Sequence, residues 1–122
     1  MIDLGPEIPI PRIFDVAKAR EFYGDFLGFA WDWEHRFEAG LPVYAQISRA
    51  GLLLHLSEYF TVGTPGTRVP LTTRGLDALD AELTAKQYRH ARPGIQPQPW
   101  GWRELAVSDP CCNVLIFAEE DA

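Results

Sequence analysis

Cysteine is scarce in this chain of 122 residues: the two that occur, Cys111 and Cys112, are adjacent. Neighbouring cysteines seldom meet disulfide geometry, so an extracellular disulfide framework is excluded. Two thiols without a second pair also make a poor zinc site, and structural thiols in a reducing compartment are the expectation. Positive charge is short as well, with 11 Lys and Arg against 17 Asp and Glu for a net −6. Nucleic acids and anionic membrane surfaces both demand a positive footprint, so neither is an expected partner. No apolar run approaches the ~20 residues that span a bilayer, and no basic patch precedes an apolar run at the N-terminus. A soluble protein kept in the cytoplasm is expected. Covalent chemistry lacks its signatures too: Ser48, Ser57 and Ser108 have no nucleophile-elbow setting, and the glycines form neither a phosphate loop nor a dinucleotide fingerprint.

What is present is a globular composition, 47% apolar and 23% charged, on a chain with room for one ordinary core and not two. A single domain over 1–122 is expected, built from two similar passages at about 7–60 and 67–119. In the first, Ile8–Phe14 alternates apolar residues with Pro9, Pro11 and Arg12. Two prolines remove ladder donors and predict an edge strand or a hinge-bearing arm. Asp15 is a helix N-cap candidate, with Val16, Ala19, Tyr23, Phe26 and Leu27 at helical spacing and Gly28 as the left-handed stop. Three strands follow: Phe29, Trp31 and Trp33 alternating with Ala30, Asp32 and Glu34; Val43–Arg49; and, after a turn at Ala50-Gly51, Leu52–Ser57.

The second passage repeats this order. Arg68–Thr73 reads as a strand, and Leu76, Leu79 and Leu83 share a helical face. Pro93–Pro99 reads as a loop, Trp102–Val107 alternates, Asp109-Pro110 turns, and Val114–Ala118 closes. A shift of 60 residues lays Val16, Ala19 and Tyr23 on Leu76, Leu79 and Leu83; amphipathicity alone could produce that match. The Gly-, Thr- and Pro-rich 61–66 is the linker. The predicted class is α+β: paired βαβββ units whose mixed sheets leave a concave cleft, in one chain or across two.

Pro11-Arg12-Ile13-Phe14-Asp15-Val16, then Phe22-Tyr23 and Leu27-Gly28-Phe29, resembles the opening of the glyoxalase/bleomycin-resistance/dioxygenase (vicinal oxygen chelate) superfamily. Gln98-Pro99-Trp100-Gly101, Arg103-Glu104, Asp109-Pro110 and Asn113 resemble the matching stretch of its bleomycin-resistance branch. The resemblance implies a paired βαβββ fold, commonly a homodimer with clefts at or near the subunit interface. In the resistance branch the cleft sequesters bleomycin unchanged; in enzyme branches it holds a divalent metal that binds two vicinal oxygens. One turn departs from the pattern: the family reads Asp-Pro-x-Gly-Asn, this chain Asp109-Pro110-Cys111-Cys112-Asn113. A positive φ there falls either on Cys112, at a steric cost, or on Asn113.

Registered by these motifs, the four metal-ligand positions of the enzyme branches fall on Ile8, His55, Arg68 and Ile116. Two are aliphatic and one is a permanent cation that repels a dication. No metal, no other cofactor and no catalytic residue is therefore assigned. His55 shares a strand face with Leu53 and Ser57, either lining the cleft or serving as an ordinary hydrogen-bonded sheet histidine. His35 and His90 read as solvated.

A cleft without metal needs other sources of affinity. Trp33, Phe37, Trp100 and Trp102 are the candidate aromatic walls, since flat rings stack on heteroaromatics and attract cations over their faces. Core or subunit interface claims part of the tryptophan set. Asp32, Glu34, Glu38, Glu58 and Glu104 supply negative charge, Asp32 having a counterpart near the cleft in resistance proteins; Arg103 and Glu104 read as a possible cross-strand ion pair. The expected ligand set is Asp32, Trp33, Phe37, His55, Trp100, Trp102 and Glu104. The expected function is antibiotic binding of the bleomycin-resistance type by a homodimer, the ligand a small cationic aromatic molecule. The alternatives are a metal-dependent lyase or dioxygenase of the same fold, or a homologue that binds an unrelated metabolite.

Overall fold

The computed structural model describes residues 1–61 and 64–121, so the linker expected over 61–66 lies partly outside the described residues. The chain starts with an extended arm, whose residues Pro9–Ile13 lie along the third strand. Helix α1 (Val16–Ala19) follows, widening into a π-helical turn over Arg20–Phe26. Then come β1 (Ala30–His35), β2 (Tyr44–Arg49), β3 (Leu52–Ser57), β4 (Arg68–Thr72), α2 (Leu76–Lys86), β5 (Ile95–Pro97), β6 (Trp102–Ser108) and β7 (Val114–Glu120).

Two sheets form, of order β1-β2-β3 and β4-β7-β6-β5. The arm runs parallel to β3 through an isolated bridge at Arg12 and Ser57, with Pro9 and Pro11 carbonyls accepting from the His55 and Ser57 amides. Likewise β4 runs parallel to β7. Both sheets thus read first strand, last strand, third, second. The prolines, Pro9 and Pro11 in one and Pro70 in the other, sit on those first strands, which are edges where a missing N–H is harmless.

Asp15 caps α1 as expected, its Oδ1 accepting from Lys18 N at 2.9 Å. The widening beyond Ala19 was not legible in the spacing. Leu27 N bonds to Phe22 O, five residues back, and the broader turn brings Phe22, Tyr23, Phe26 and Leu27 into the core together. Gly28 ends the helix at φ 75°.

The stretch 93–99, expected to be a loop, contains β5. Ile95, Gln96 and Pro97 pair with Leu105, Glu104 and Arg103, which works because β5 is an outer strand and needs donors on one side only. Trp31 and Trp33, expected on one face by alternation, lie on opposite faces. A bulge inserts Asp32 between them, so Trp31 pairs with Ile47 but Trp33 with Gln46.

One apolar cluster holds the molecule together. Ile47, Leu54 and Leu56 enter it from the first sheet and Val69, Leu71, Leu105, Val107, Leu115 and Phe117 from the second, with Phe22, Tyr23, Phe26, Leu76 and Leu83 from the helices. Both sheets spend one face on this shared core, so their other faces turn away from it. Arg49 ties the sheets' helices together, donating to both Glu82 carboxylate oxygens at 2.8 and 2.7 Å and to Leu27 O. Among the described residues no helix is long and apolar enough to cross a membrane.

Candidate functional site

Alternation in β2 buries Ala45 and Ile47, leaving Tyr44, Gln46 and Ser48 on the open face; β3 buries Leu54 and Leu56, leaving Leu53 and His55. The bulge in β1 adds Trp33 to that face and swings Asp32 over it. A cross-strand row Trp33–Gln46–His55 results.

The polar side chains on this face are joined by hydrogen bonds. Tyr44 Oη lies 2.8 Å from His55 Nδ1, and His55 Nε2 lies 3.1 Å from Gln46 Oε1. Gln46 Nε2 donates to Asp32 Oδ2 at 3.1 Å, and Ser48 Oγ donates to Asp32 Oδ1 at 2.9 Å. Burial raises the Tyr44 phenol above its ordinary range. The Trp33 indole stacks near-parallel to Tyr44 at 6.2 Å and meets the His55 edge at 5.5 Å, yet stays 43% exposed. An aromatic plate, supported from below and open above, stands beside a carboxylate.

Phe37 lies just past β1, 74% exposed, its ring edge-on to His35 at 4.7 Å. His35 pairs across the sheet with Tyr44, so Phe37 borders this face without joining the row. Trp102 and Glu104 lie elsewhere, on the open face of the second sheet, since Leu105 and Val107 take the core side of β6. Trp100 is 63% exposed in the turn before β6, where Gly101 N bonds to Gln98 O. Among the described residues no hydrogen bond or ring contact links this second group to the first. The expected set is therefore split over two faces that point away from one shared core.

Other expectations change. Arg103 does not pair with Glu104: neighbours on a strand face opposite ways, and Arg103 instead binds Asp77 at 3.0 Å and Glu119 at 2.8 Å. Glu34 turns toward the helix, held by Arg20 and the Trp31 Nε1–H; the Arg20 hydrogen bond foremost lowers its carboxyl below the usual range. Glu58 accepts from the Val43 amide. Tyr44, Gln46 and Ser48 were not among the expected ligand residues because polar residues alternating on a strand read as solvent-facing. A cavity of 920 Å³ lies away from both groups, between the Arg49–Leu52 turn and Pro70–Gly75 with α2. Trp102 does line a shallower groove of 730 Å³ with Thr72, Arg74 and Glu120. Neither is the Trp33 face, since a flat sheet encloses no volume until something covers it.

As for metals, the four registered positions hold Ile8, His55, Arg68 and Ile116, and among the described residues no three His, Cys, Asp or Glu side chains cluster as a metal site would require. Both ring nitrogens of His55 already have partners.

The sequence matches the family described as glyoxalase superfamily protein over residues 2–122. The chain belongs to the glyoxalase superfamily. Within it, this glyoxalase-superfamily chain is 25% identical to a bleomycin resistance protein of Geobacillus stearothermophilus, over 93% of its own length and 95% of the relative's. It is similar to the bleomycin-binding protein from bleomycin-producing Streptomyces verticillus complexed with copper(II)-bleomycin. The identity is 26% and the TM-score 0.70, covering 100% of this chain and 99% of that one. A second bleomycin-binding protein complexed with bleomycin shares the fold at TM-score 0.74 and 18% identity, covering 97% and 100% of the two chains.

Proposed function

We propose that this chain sequesters a small cationic aromatic ligand, bleomycin or a close chemical relative, and leaves it unchanged. The observation that carries this reading is the Trp33–Tyr44 plate beside the Asp32 carboxylate on a sheet face that the core leaves open. A heteroaromatic ring gains from stacking on such a plate, and its cationic tail gains from the neighbouring carboxylate. The net charge of −6 favours the encounter. The similarity to bleomycin resistance and bleomycin-binding proteins supports the same ligand class.

The split of the ligand set supports a homodimer. In this reading the Trp33 face of one copy is covered by the Trp102 face of another, and the covered space is the cleft. Two such clefts follow from two-fold symmetry.

Bleomycin titrated against tryptophan fluorescence tests the reading, with melting temperature as a second readout. At a hundred times the dissociation constant, binding adds ~2.7 kcal/mol and raises the melting temperature visibly. Trp33→Ala is expected to weaken binding by roughly thirtyfold, since it removes an anchored ring. Nickel, zinc and iron are expected to leave the melting temperature unmoved. Unchanged fluorescence and melting with bleomycin would sink the proposal; a metal-dependent rise abolished by His55→Ala would point to an enzyme instead.

A further inference from the structure

The Asp32 carboxylate can only accept hydrogen bonds, so the group of Gln46 that faces it must be the amide NH₂. With the amide so oriented, Gln46 Oε1 faces His55 Nε2 and can only accept, so Nε2 carries the ring proton. In the neutral ring Nδ1 is then a bare lone pair, and the Tyr44 hydroxyl donates into it. Ser48 spends its hydroxyl proton on the other Asp32 oxygen. Apart from the second amide hydrogen of Gln46 and the indole N–H of Trp33, every polar proton of the row is directed inward along the chain. What the row offers a ligand is lone pairs: those of Tyr44 Oη, Ser48 Oγ and Asp32.

We propose that Gln46 is a positioning residue that sets the specificity of this face: it passes the orientation demanded by Asp32 on to His55 and Tyr44, so that the face accepts hydrogen bonds and scarcely donates them. The inference rests on the ligand reading above and narrows it. The cation that fits is one bearing N–H donors, an ammonium, amidinium or guanidinium, and not a fully alkylated cation of the same charge. Charge and ring stacking alone would take either; only the acceptor array tells them apart. The Nδ1 lone pair that a metal ion would need is already used by Tyr44.

Two measurements test this separately. Ring ¹⁵N NMR of His55, in the protein without ligand, is expected to place the proton on Nε2. Gln46→Leu removes the acceptor and is expected to spread the proton over both nitrogens. Gln46→Glu restores an acceptor and is expected to bring the Nε2–H signal back. A merely structural role for Gln46 would not produce that pairing, and melting curves report whether either variant folds. The second measurement compares benzamidine with phenyltrimethylammonium, two singly charged aryl cations with and without N–H donors. The wild type is expected to prefer benzamidine by roughly tenfold, as one charge-assisted hydrogen bond gives, and Gln46→Leu to shrink that preference. A wild-type proton on Nδ1, or equal affinity for the two cations, overturns the inference. Failure of bleomycin to bind while Nε2–H and the benzamidine preference hold overturns the ligand reading instead.

Discussion

Across the open face of the first sheet one row reads Trp33, Gln46, His55; across the second, the row through β6, β7 and β4 reads Ala106, Ile116, Pro70. The sheets share their strand order, their parallel first pair and their use of one face as core. Leu54 and Leu56 flank His55 in β3 as Leu115 and Phe117 flank Ile116 in β7, and all four are buried. Core positions are constrained alike in both because each must fill the same apolar interior. Outward positions carry the difference: one row is aromatic and polar, with its hydrogen bonds satisfied internally, and the other is aliphatic. Under the function proposed above, a ligand that needs stacking and acceptors is expected to find them on the first face.

The largest expected effect tests the shared half of that comparison. Leu54→Ala and Leu115→Ala each remove a fully buried side chain from the last strand of a sheet. Each is expected to lower stability by about 2–5 kcal/mol, read from urea midpoints. The two costs should be similar, because both residues feed one core. A fall below about 1 kcal/mol at Leu115 alone would mean that the second sheet packs more loosely and that the likeness is one of strand order only.

A smaller effect tests the seam between the two passages. Tyr23, from the π-helical turn, donates to Asp109 Oδ2 at 2.7 Å in the β6–β7 turn. Asp109 also accepts from the Cys111 and Asn113 amides, and Asn113 Nδ2 reaches back to Arg12 O in the arm. Tyr23→Phe is expected to cost about 1.5 kcal/mol, the lower end for a bond to a charged group. The bond also has a pH signature. Burial foremost, then the Asp109 charge, pushes the Tyr23 phenol well above its ordinary value of 10.0. Burial and the hydrogen bond to Glu21 likewise push Tyr88 up to about 12. The folded state holds these protons longer than the unfolded state, so stability is full below pH ~10 and falls as pH rises beyond it. Urea midpoints between pH 8 and 11.5 should decline, and decline less steeply in Tyr23→Phe. An equal slope in both proteins would show that Tyr23 is not protected in the folded state.

The shared half was legible in the sequence and the differing half only partly. Alternation in Val43–Arg49 and Leu52–Ser57, the Asp15 cap and the Gly28 stop are local signals, and the structure follows them. Periodicity failed where one residue breaks it: the bulge at Asp32 separates Trp31 from Trp33, and nothing in Ala30–His35 marks it in advance. β5 was hidden by Pro97 and by the prolines that flank it, Pro93 and Pro99; an outer strand tolerates the one it contains. His55 was noticed, but its partners Tyr44 and Gln46 were not, because a hydrogen-bonded row exists only once three strands are in register. Trp100, Trp102 and Glu104 were grouped with Trp33 as rings and charge flanking one expected cleft, and the chain alone sets Trp102 and Glu104 on another sheet and Trp100 in the turn before it.

The turns that close the two sheets sharpen the comparison at its smallest scale. β2 and β3 are joined through Ala50 at φ 51° and Gly51 at φ 87°, two positive-φ residues of which one is glycine. β6 and β7 are joined through Asp109-Pro110-Cys111-Cys112-Asn113, where Cys112 takes φ 70°. Asn113 was the other candidate for that conformation, but its side chain is buried and committed to Arg12 O and Asp109 Oδ2, and its amide to Asp109 Oδ1. Cys112 is exposed and, among the described residues, its thiol anchors nothing, so its Cβ carries the left-handed strain. Cys112→Gly relieves that strain, of order 1–3 kcal/mol, while a more flexible unfolded chain returns about 0.5–1 kcal/mol of it. A net gain of about 0–2.5 kcal/mol is expected, seen as a higher urea midpoint with an unchanged slope. A loss of stability on Cys112→Gly would place the positive φ elsewhere in the turn and remove the contrast with Ala50-Gly51.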